Sequence, residues 1–260
     1  MTTPALRIAI DASCAMETPM TGVGYAALNL LRALCRSPHG FDLRLFGTPD
    51  RSTQNALDDL RPHFSTWYIR QNARQLKYFL WPSLNWPPIE WFCGGVDIAH
   101  NLFHQLPAAR NARRIVTIHD LSFLFMPEVH TKHNVQKQTR LVRHGARHAD
   151  AIVAVSEQCR HEIIDTLGVP EDRVYVVRNA VDHTEFAGAL DTPRTESLKK
   201  QLGLTHEYLI HLGTLEPRKN IPQLLRAYNR LRAKIADCPQ LLLVGKRGWL
   251  YSKPWLRVRR

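Results

Sequence analysis

The amino-acid sequence predicts an α/β fold, and three observations carry that expectation. Tyr208–Leu212 is an apolar run broken at once by Gly213, followed by a polar turn and an amphipathic helix from about Asn220. Near the start, Leu6–Asp11 (LRIAID) runs through a loop into Thr21-Gly22-Val23-Gly24. A helix follows whose apolar positions Val23, Ala26, Ala27, Leu30, Leu31 and Leu34 form one stripe. Further apolar runs of strand length alternate with helical stretches, as strand–helix units do in α/β proteins.

Taken in order, Leu6–Asp11 is the first strand and ends in an acid. The Gly22/Gly24 turn lets a ligand approach the backbone, and the helix start offers free N–H donors. A plain tight turn accounts for the same residues, because Ala27 holds the last position of a dinucleotide fingerprint. Phe41–Phe46 is a second strand. Residues 67–92 then gather Trp67, Tyr68, Tyr78, Phe79, Trp81, Trp86, Trp91 and Phe92 among Arg70, Arg74 and Lys77. Aromatics beside cations suit a bilayer interface or an acceptor groove. Core packing under a loop broken by Pro82, Pro87 and Pro88 is the alternative.

Val96–His100 and Arg114–His119 are further strands, the second running into His119-Asp120. Both polar side chains therefore fall at a strand's carboxyl end, where α/β sites form. A helix-capping Asp beside a hydrogen-bonded core His would read the same way. A helix over Asn134–His148, a strand over Ala149–Val155 and a helix capped by Ser156 and closed at Gly168-Val169-Pro170 come next. Arg173–Val177 is another strand, and 184–205 is polar with one short helix. The turn after Gly213 carries Arg218 and Lys219 beside a helix N-terminus, a plausible seat for a diphosphate or simply a solvated basic turn. Gln240–Gly245 is the last strand before Lys246-Arg247-Gly248.

The chain has 260 residues, enough for one large domain or one and a half. Apolar residues make up 44%, ordinary for a protein with a buried core. No apolar run approaches the roughly 18 residues of a spanning helix, and no secretory leader is expected. Five scattered cysteines without C-x-x-C spacing fit a reduced cytoplasmic setting and argue against a zinc site. A formal charge of +12, densest from Lys246 to Arg260, points to anionic partners. No zinc-finger or RNP-type signature is present, so nucleic acid is not expected and an anionic membrane surface is the better partner.

The ordered set of the glycine turn, His119-Asp120, ADAIVAVSE, RNAVD, Gly213-Thr214-Leu215-Glu216-Pro217-Arg218-Lys219-Asn220 and LLLVGKRGW resembles family-4 glycosyltransferases from about residue 6 to 251. The mannosyltransferase-like bacterial branch is the nearest in look. The resemblance implies a GT-B fold: an acceptor-side Rossmann-like domain over 1–187, a linker over 188–204 and a partial nucleotide-sugar-binding domain over 205–260. It implies transfer of a sugar, with mannose from GDP-mannose the guess, to a glycan or lipid-linked acceptor with retention and without a metal. By the same resemblance Gly22 and Gly24 lie against the donor phosphates. His119 of the His119-Asp120 pair supports catalysis near the transferred sugar, and Arg218 and Lys219 neutralise the leaving diphosphate across a cleft.

Two departures from that family pattern stand out. Thr214 occupies a position that is Arg in many relatives. The E-x7-E segment that binds the donor in relatives, and their closing helix, have no counterpart, so a truncated enzyme with impaired turnover is expected. The alternative is a non-catalytic, basic peripheral-membrane or scaffold module built on the same fold.

Overall fold

A computed structural model of the chain describes residues 5–18, 20–37, 40–48, 57–70, 74–186, 192–204 and 207–249. The basic stretch after Leu250, singled out above for its charge, lies outside the described residues. Backbone contacts divide the chain into two units, Met1–Leu124 with Gln136–His183, and Phe125–Val135 with Thr184–Arg260.

The first unit is built on a seven-stranded parallel sheet in the order β3-β2-β1-β4-β5-β6-β7. Its strands are β1 (Arg7–Asp11), β2 (Asp42–Gly47), β3 (Thr66–Ile69), β4 (Ile98–Asn101), β5 (Arg113–Ile118), β6 (Ala151–Ala154) and β7 (Val174–Val176). The chain winds outward from β1 through β2 to β3, then returns to the centre and leaves the other way through β4. Such a reversal of order opens a crevice beyond the carboxyl ends of the two central strands, here β1 and β4.

Side chains alternate across a strand, so Ile10 and Ala9 face opposite ways. On the Ile10 side, helix α1 (Gly22–Arg36) packs Ala27, Leu28 and Leu31 against Leu43 and Leu45. The apolar stripe is rotated slightly from the predicted one. Leu28 is buried in it, whereas Leu30 is 39% exposed. On the Ala9 side lie α2 (Arg74–Leu84) and the single turn α3 (Glu90–Cys93), with Trp81, Ile89 and Cys93 buried against Phe46 and Ala99.

The aromatic segment divides between its two readings. Phe46, Tyr68, Trp81 and Phe92 form a core stack, with centroids 4.6–5.6 Å apart in the contacting pairs. Phe79, Trp86 and Trp91 stay exposed. The strand β3 and helix α2 replace the loop expected there, and Pro82 sits within the helix near its end.

Between β5 and β6 come the turn α4 (Ser122–Phe125) and α5 (Lys132–His148). The buried face of α5 is Gln138, Leu141, Val142, Gly145 and Ala146. Helix α6 (Glu157–Leu167) joins β6 to β7. It starts on Ser156, whose hydroxyl accepts from the Cys159 N–H at 3.1 Å, and ends on Gly168 at φ 66°, both as its caps predict.

After the short α7 (His183–Phe186) the second unit holds α8 (Thr192–Gln201) and a parallel pair, β8 (Tyr208–Leu212) with β9 (Gln240–Val244). These strands are joined by α9 (Ile221–Arg232). Among the described residues no helix is long and apolar enough to cross a membrane.

Candidate functional site

At the carboxyl ends of the central strands of the first unit lies a buried polar network that the sequence only hinted at. β1 ends on Asp11, fully buried. One carboxylate oxygen accepts from the N–H and hydroxyl of Ser13; the other accepts from Lys77 Nζ at 2.6 Å and Asn101 Nδ2 at 2.8 Å. Lys77 Nζ also reaches Ser13 Oγ at 3.0 Å and lies over the rings of Trp81 and Phe46 at 5.2 and 5.5 Å. Asn101, at the end of β4, accepts the Phe103 N–H at 2.8 Å and so shapes the turn that follows. A buried charge of this kind is tolerable only when its partners are complete. Here they are, so the network fastens α2 across the carboxyl ends of β1 and β4.

That turn delivers its next carbonyl to the predicted histidine. His119 follows β5, and its Nε2 donates to Leu102 O at 3.0 Å. Its backbone N–H donates to His104 Nε2 at 3.1 Å, and His104 Nδ1 meets Gln138 Oε1 of α5 at 3.1 Å. Burial pushes His104 down to about 4, helped by the neighbouring His119. Burial also lowers His119, against the opposing pull of the Leu102 carbonyl and the Asp120 charge. At neutral pH both rings are therefore uncharged. His119 forms part of the wall of a cavity of about 620 Å³, with Ile10, Ala27, Leu30, His100 and Thr117.

Asp120 is exposed, and one of its oxygens accepts from Ser122 N–H at 3.0 Å and Ser122 Oγ at 2.8 Å. It caps the turn α4, the structural role foreseen for it beside the catalytic one. Gly22 is the exposed first residue of α1, where Thr21 is the N-cap accepting from Gly24 N–H. A Cβ on Gly22 would meet nothing within 4 Å, whereas one on Gly24 would stand 2.8 Å from the Cys14 carbonyl. The two glycines thus have different reasons to be glycine. Gly24 is required by packing and Gly22 is not.

Gly22→Ala should fold with unchanged or slightly raised stability. Gly24→Ala should lose about 1–3 kcal/mol by overpacking. Urea melts of both variants check this. A Gly22→Ala variant that keeps its stability but binds a nucleotide sugar more weakly would mark Gly22 as a ligand-approach position.

In the second unit β8 ends at Gly213 (φ 154°) and β9 at Gly245 (φ 157°). A Cβ on Gly245 would fall 1.7 Å from Gly213 O, so the two turns pass backbone against backbone. Leu215 N–H donates to Lys246 O and Gly248 N–H to Leu215 O, zipping the turns together. Pro217–Lys219 forms a single 3-10 turn, and Asn220, left-handed at φ 49°, starts α9.

Arg218 and Lys219 are both on this turn, as predicted, but they are not equivalent. The Arg218 guanidinium holds the buried Glu216 carboxylate through Nε at 3.0 Å and Nη2 at 2.8 Å. Lys219 is exposed and has no ion pair among the described residues; its Cε passes 3.7 Å from the space beside Gly213. The cation best able to meet an incoming anion is therefore Lys219, with Arg218 bracing the turn through Glu216. Among the described residues no three His, Cys, Asp or Glu side chains are grouped to hold a metal ion.

Sequence reasoning noticed the acid at the end of β1 but missed Ser13, Lys77, Asn101 and His104. Ser13 lies only two residues from Asp11, but the others were inconspicuous because their partners lie far along the chain. Asp11 and Asn101 are 90 residues apart, and Asp11 and Lys77 are 66 apart.

Comparison with known proteins places this geometry. Among curated relatives, O-antigen chain mannosyltransferase B of Escherichia coli is 32% identical over 252 residues, covering 94% of this chain and 66% of that protein. The chain thus spans about two thirds of that relative's length. A serotype-specific mannosyltransferase, WbdA, of Escherichia coli is 34% identical over 98 residues, 38% of this chain and 12% of the relative. Among solved structures, Anabaena HepE in complex with UDP-glucose superposes with a TM-score of 0.52 at 13% identity, over 94% of this chain and 70% of that one. This likeness supports a GT-B fold. The model of Glycosyltransferase Family 4 matches residues 20–185, the greater part of the chain, and the protein belongs to that family.

Proposed function

We propose that this protein moves a hexose, mannose by its relatives' names, from a nucleotide sugar to a growing glycan or lipid-linked acceptor with retention at the anomeric carbon. The observation that carries the reading is the likeness to an O-antigen mannosyltransferase across 94% of the chain, which takes in both His119 and the Arg218–Lys219 turn. The donor is GDP-mannose, and no metal or other cofactor is needed for the step.

Cleaving the glycosyl–phosphate bond leaves negative charge on the departing diphosphate, and fixed positive charge stabilises it as it forms. Lys219 supplies that charge, and Arg218 keeps the turn in place. Gly22, with Gly24, lets the phosphates approach the start of α1. His119 lies beside the transferred sugar, and Asp120 holds the turn that follows it. In this scheme no pair of carboxylates of the hydrolase kind is called for. The domain limits at 187 and 205 belong to the same proposal.

Radiolabelled transfer from GDP-mannose tests it, using the chain alone and with a fragment supplying the remaining third of its relative's length. Lys219→Ala should lower kcat/KM by about 10²–10³-fold, the usual cost of removing one fixed charge at a developing oxyanion. Arg218→Ala should cost activity and also lower the stability of the second unit, by stranding Glu216. Transfer that survives Lys219→Ala undiminished would remove the diphosphate assignment.

A second reading, peripheral docking on an anionic membrane, is favoured by one surface of the first unit. Phe79, Leu84, Trp86 and Trp91 are exposed there. Arg140 stands over Phe79 at 5.5 Å, Lys137 over Tyr78 at 3.5 Å and Arg110 over Trp91 at 5.5 Å. α5 contains no acidic residue. Aromatics with cations beside them match a headgroup layer.

The chain should sediment with phosphatidylglycerol-rich vesicles at about 0.05 M salt and be released at about 0.5 M, as screening demands. Trp86→Ala/Trp91→Ala should weaken binding. Absence of binding at low salt would dispose of this reading.

A further inference from the structure

We propose that His104 is a positioning residue for His119: Gln138 and the His119 N–H fix the tautomer of His104, which holds the His119 backbone, while Leu102 O fixes the His119 ring so that it meets its ligand through an unprotonated Nδ1. The inference deepens the role proposed for His119 beside the transferred sugar, and it follows from counting protons around two rings. A carbonyl oxygen only accepts hydrogen bonds. His119 Nε2, 3.0 Å from Leu102 O, must therefore carry the proton. In the neutral ring that leaves Nδ1 bare. A backbone N–H only donates, so His104 Nε2, receiving the His119 N–H at 3.1 Å, must be bare. The proton of His104 then sits on Nδ1, where Gln138 Oε1 accepts it at 3.1 Å.

The surroundings hold this arrangement in place. His104 is 3% exposed, stacked on Phe103 with centroids 4.2 Å apart and bounded by Phe123 at 5.8 Å. Gln138 is buried on the inner face of α5. Leu102 is set by its neighbour Asn101, which hydrogen-bonds both Asp11 and the Phe103 N–H. Two elements thus fix one imidazole: the turn after β4 fixes its ring, and α5 through His104 fixes its backbone. A neutral His119 with a bare Nδ1 offers an acceptor. It suits a sugar hydroxyl donating to it, and it is the wrong polarity for a phosphate oxygen.

Long-range ¹H–¹⁵N correlation spectra of the whole chain, which separate protonated from bare ring nitrogens, test the assignment directly. The expected result at pH 7.5 is His104 with a protonated Nδ1 and a bare Nε2, and His119 with the reverse. A bare Nδ1 on His104, or a protonated Nδ1 on His119, would overturn it.

His104→Phe removes the acceptor but keeps a ring. It should displace the His119 backbone, seen as a shifted His119 ring signal that keeps its Nε2 proton, and lower kcat about tenfold or more with little change in KM, the pattern of a misplaced catalytic group. His104→Gln, whose amide oxygen can reach the same N–H, should restore both. Gln138→Leu should leave the His104 Nδ1 proton without its acceptor and shift that signal while Nε2 stays bare, and serves should His104→Phe fail to fold; an unchanged His100 signal reports an intact sheet. Failure of the role proposed for His119 looks different, since transfer would then survive His119→Ala while the tautomers stand as assigned.

Discussion

Lys77→Met should be the most damaging single substitution in the first unit, lowering its stability by about 3–5 kcal/mol, the range for stranding one member of a buried ion pair. The methionine fills much of the lysine's space against Trp81 and Phe46, so little of the loss comes from packing. The loss arises at Asp11, which has no exposure to solvent and would be left with only Ser13 and Asn101 as partners.

The double variant Asp11→Leu/Lys77→Met should behave in the opposite way. With both charges gone the desolvation cost disappears, and apolar replacements of buried pairs are often neutral or better. The double variant should therefore recover at least half of what the single loses, short of full recovery because Asn101 Nδ2 is left without its acceptor. Guanidinium melts of the three proteins decide it. Additive losses would mean that Asp11 and Lys77 act separately, and the network would then not be the clamp described.

The stability of this clamp bears on the site because Asn101 is one of its members. The turn that carries Leu102 and His104 leaves β4 directly after it, so the position of His119 depends on a salt bridge it does not touch. Deleting Lys77 should loosen His119 before it unfolds the sheet.

That dependence marks the limit of what the chain discloses on paper. Most strands were legible: LRIAID, RRIVTI and AIVA are short apolar runs, and each pairs in parallel register as strand–helix alternation requires. His119 and the Arg218–Lys219 turn were legible too, since they sit next to strand ends. β3 and α2 were not. Their Trp, Tyr and Phe residues belong to both the core and the surface, and Pro82 inside α2 reads as a breaker. Nor could sequence show that Arg218 is spoken for, because Glu216 is an ordinary turn residue until burial makes it a fixed anion. Local periodicity determines elements; partners from distant strands determine which polar residues remain open to a ligand.

The second large effect is acid destabilisation of the first unit between about pH 6.5 and 4, with His100 one of its sources. His100 lies on β4, with Nε2 2.9 Å from Thr117 Oγ1, and burial pushes it down to about 4. The unfolded chain binds the proton near the ordinary value of about 6.5, whereas the folded chain refuses it until about 4. Across that window the unfolded state carries more protons, so stability falls as pH falls. It is complete above 6.5, and the loss levels off below 4. At 1.36 kcal/mol per pH unit the full cost is about 3 kcal/mol for this one residue. His104 and His144, both also at about 4, act in the same direction.

This differs from the usual acid unfolding of salt-bridged carboxylates, for which the window lies lower. Asp97, held down to about 2 by Arg7, would yield its contribution only below about pH 4. The two mechanisms are therefore separable by variant. His100→Leu with Thr117→Val, which removes the imidazole and the hydroxyl left facing it, should make the stability profile shallower between pH 6.5 and 4, His104 and His144 carrying the remaining slope, while leaving the fall at lower pH. Urea midpoints measured at half-unit intervals are enough. A profile unchanged by the double substitution would mean that His100 takes up its proton within the folded sheet, with the cavity beside it admitting the water needed to solvate the charge.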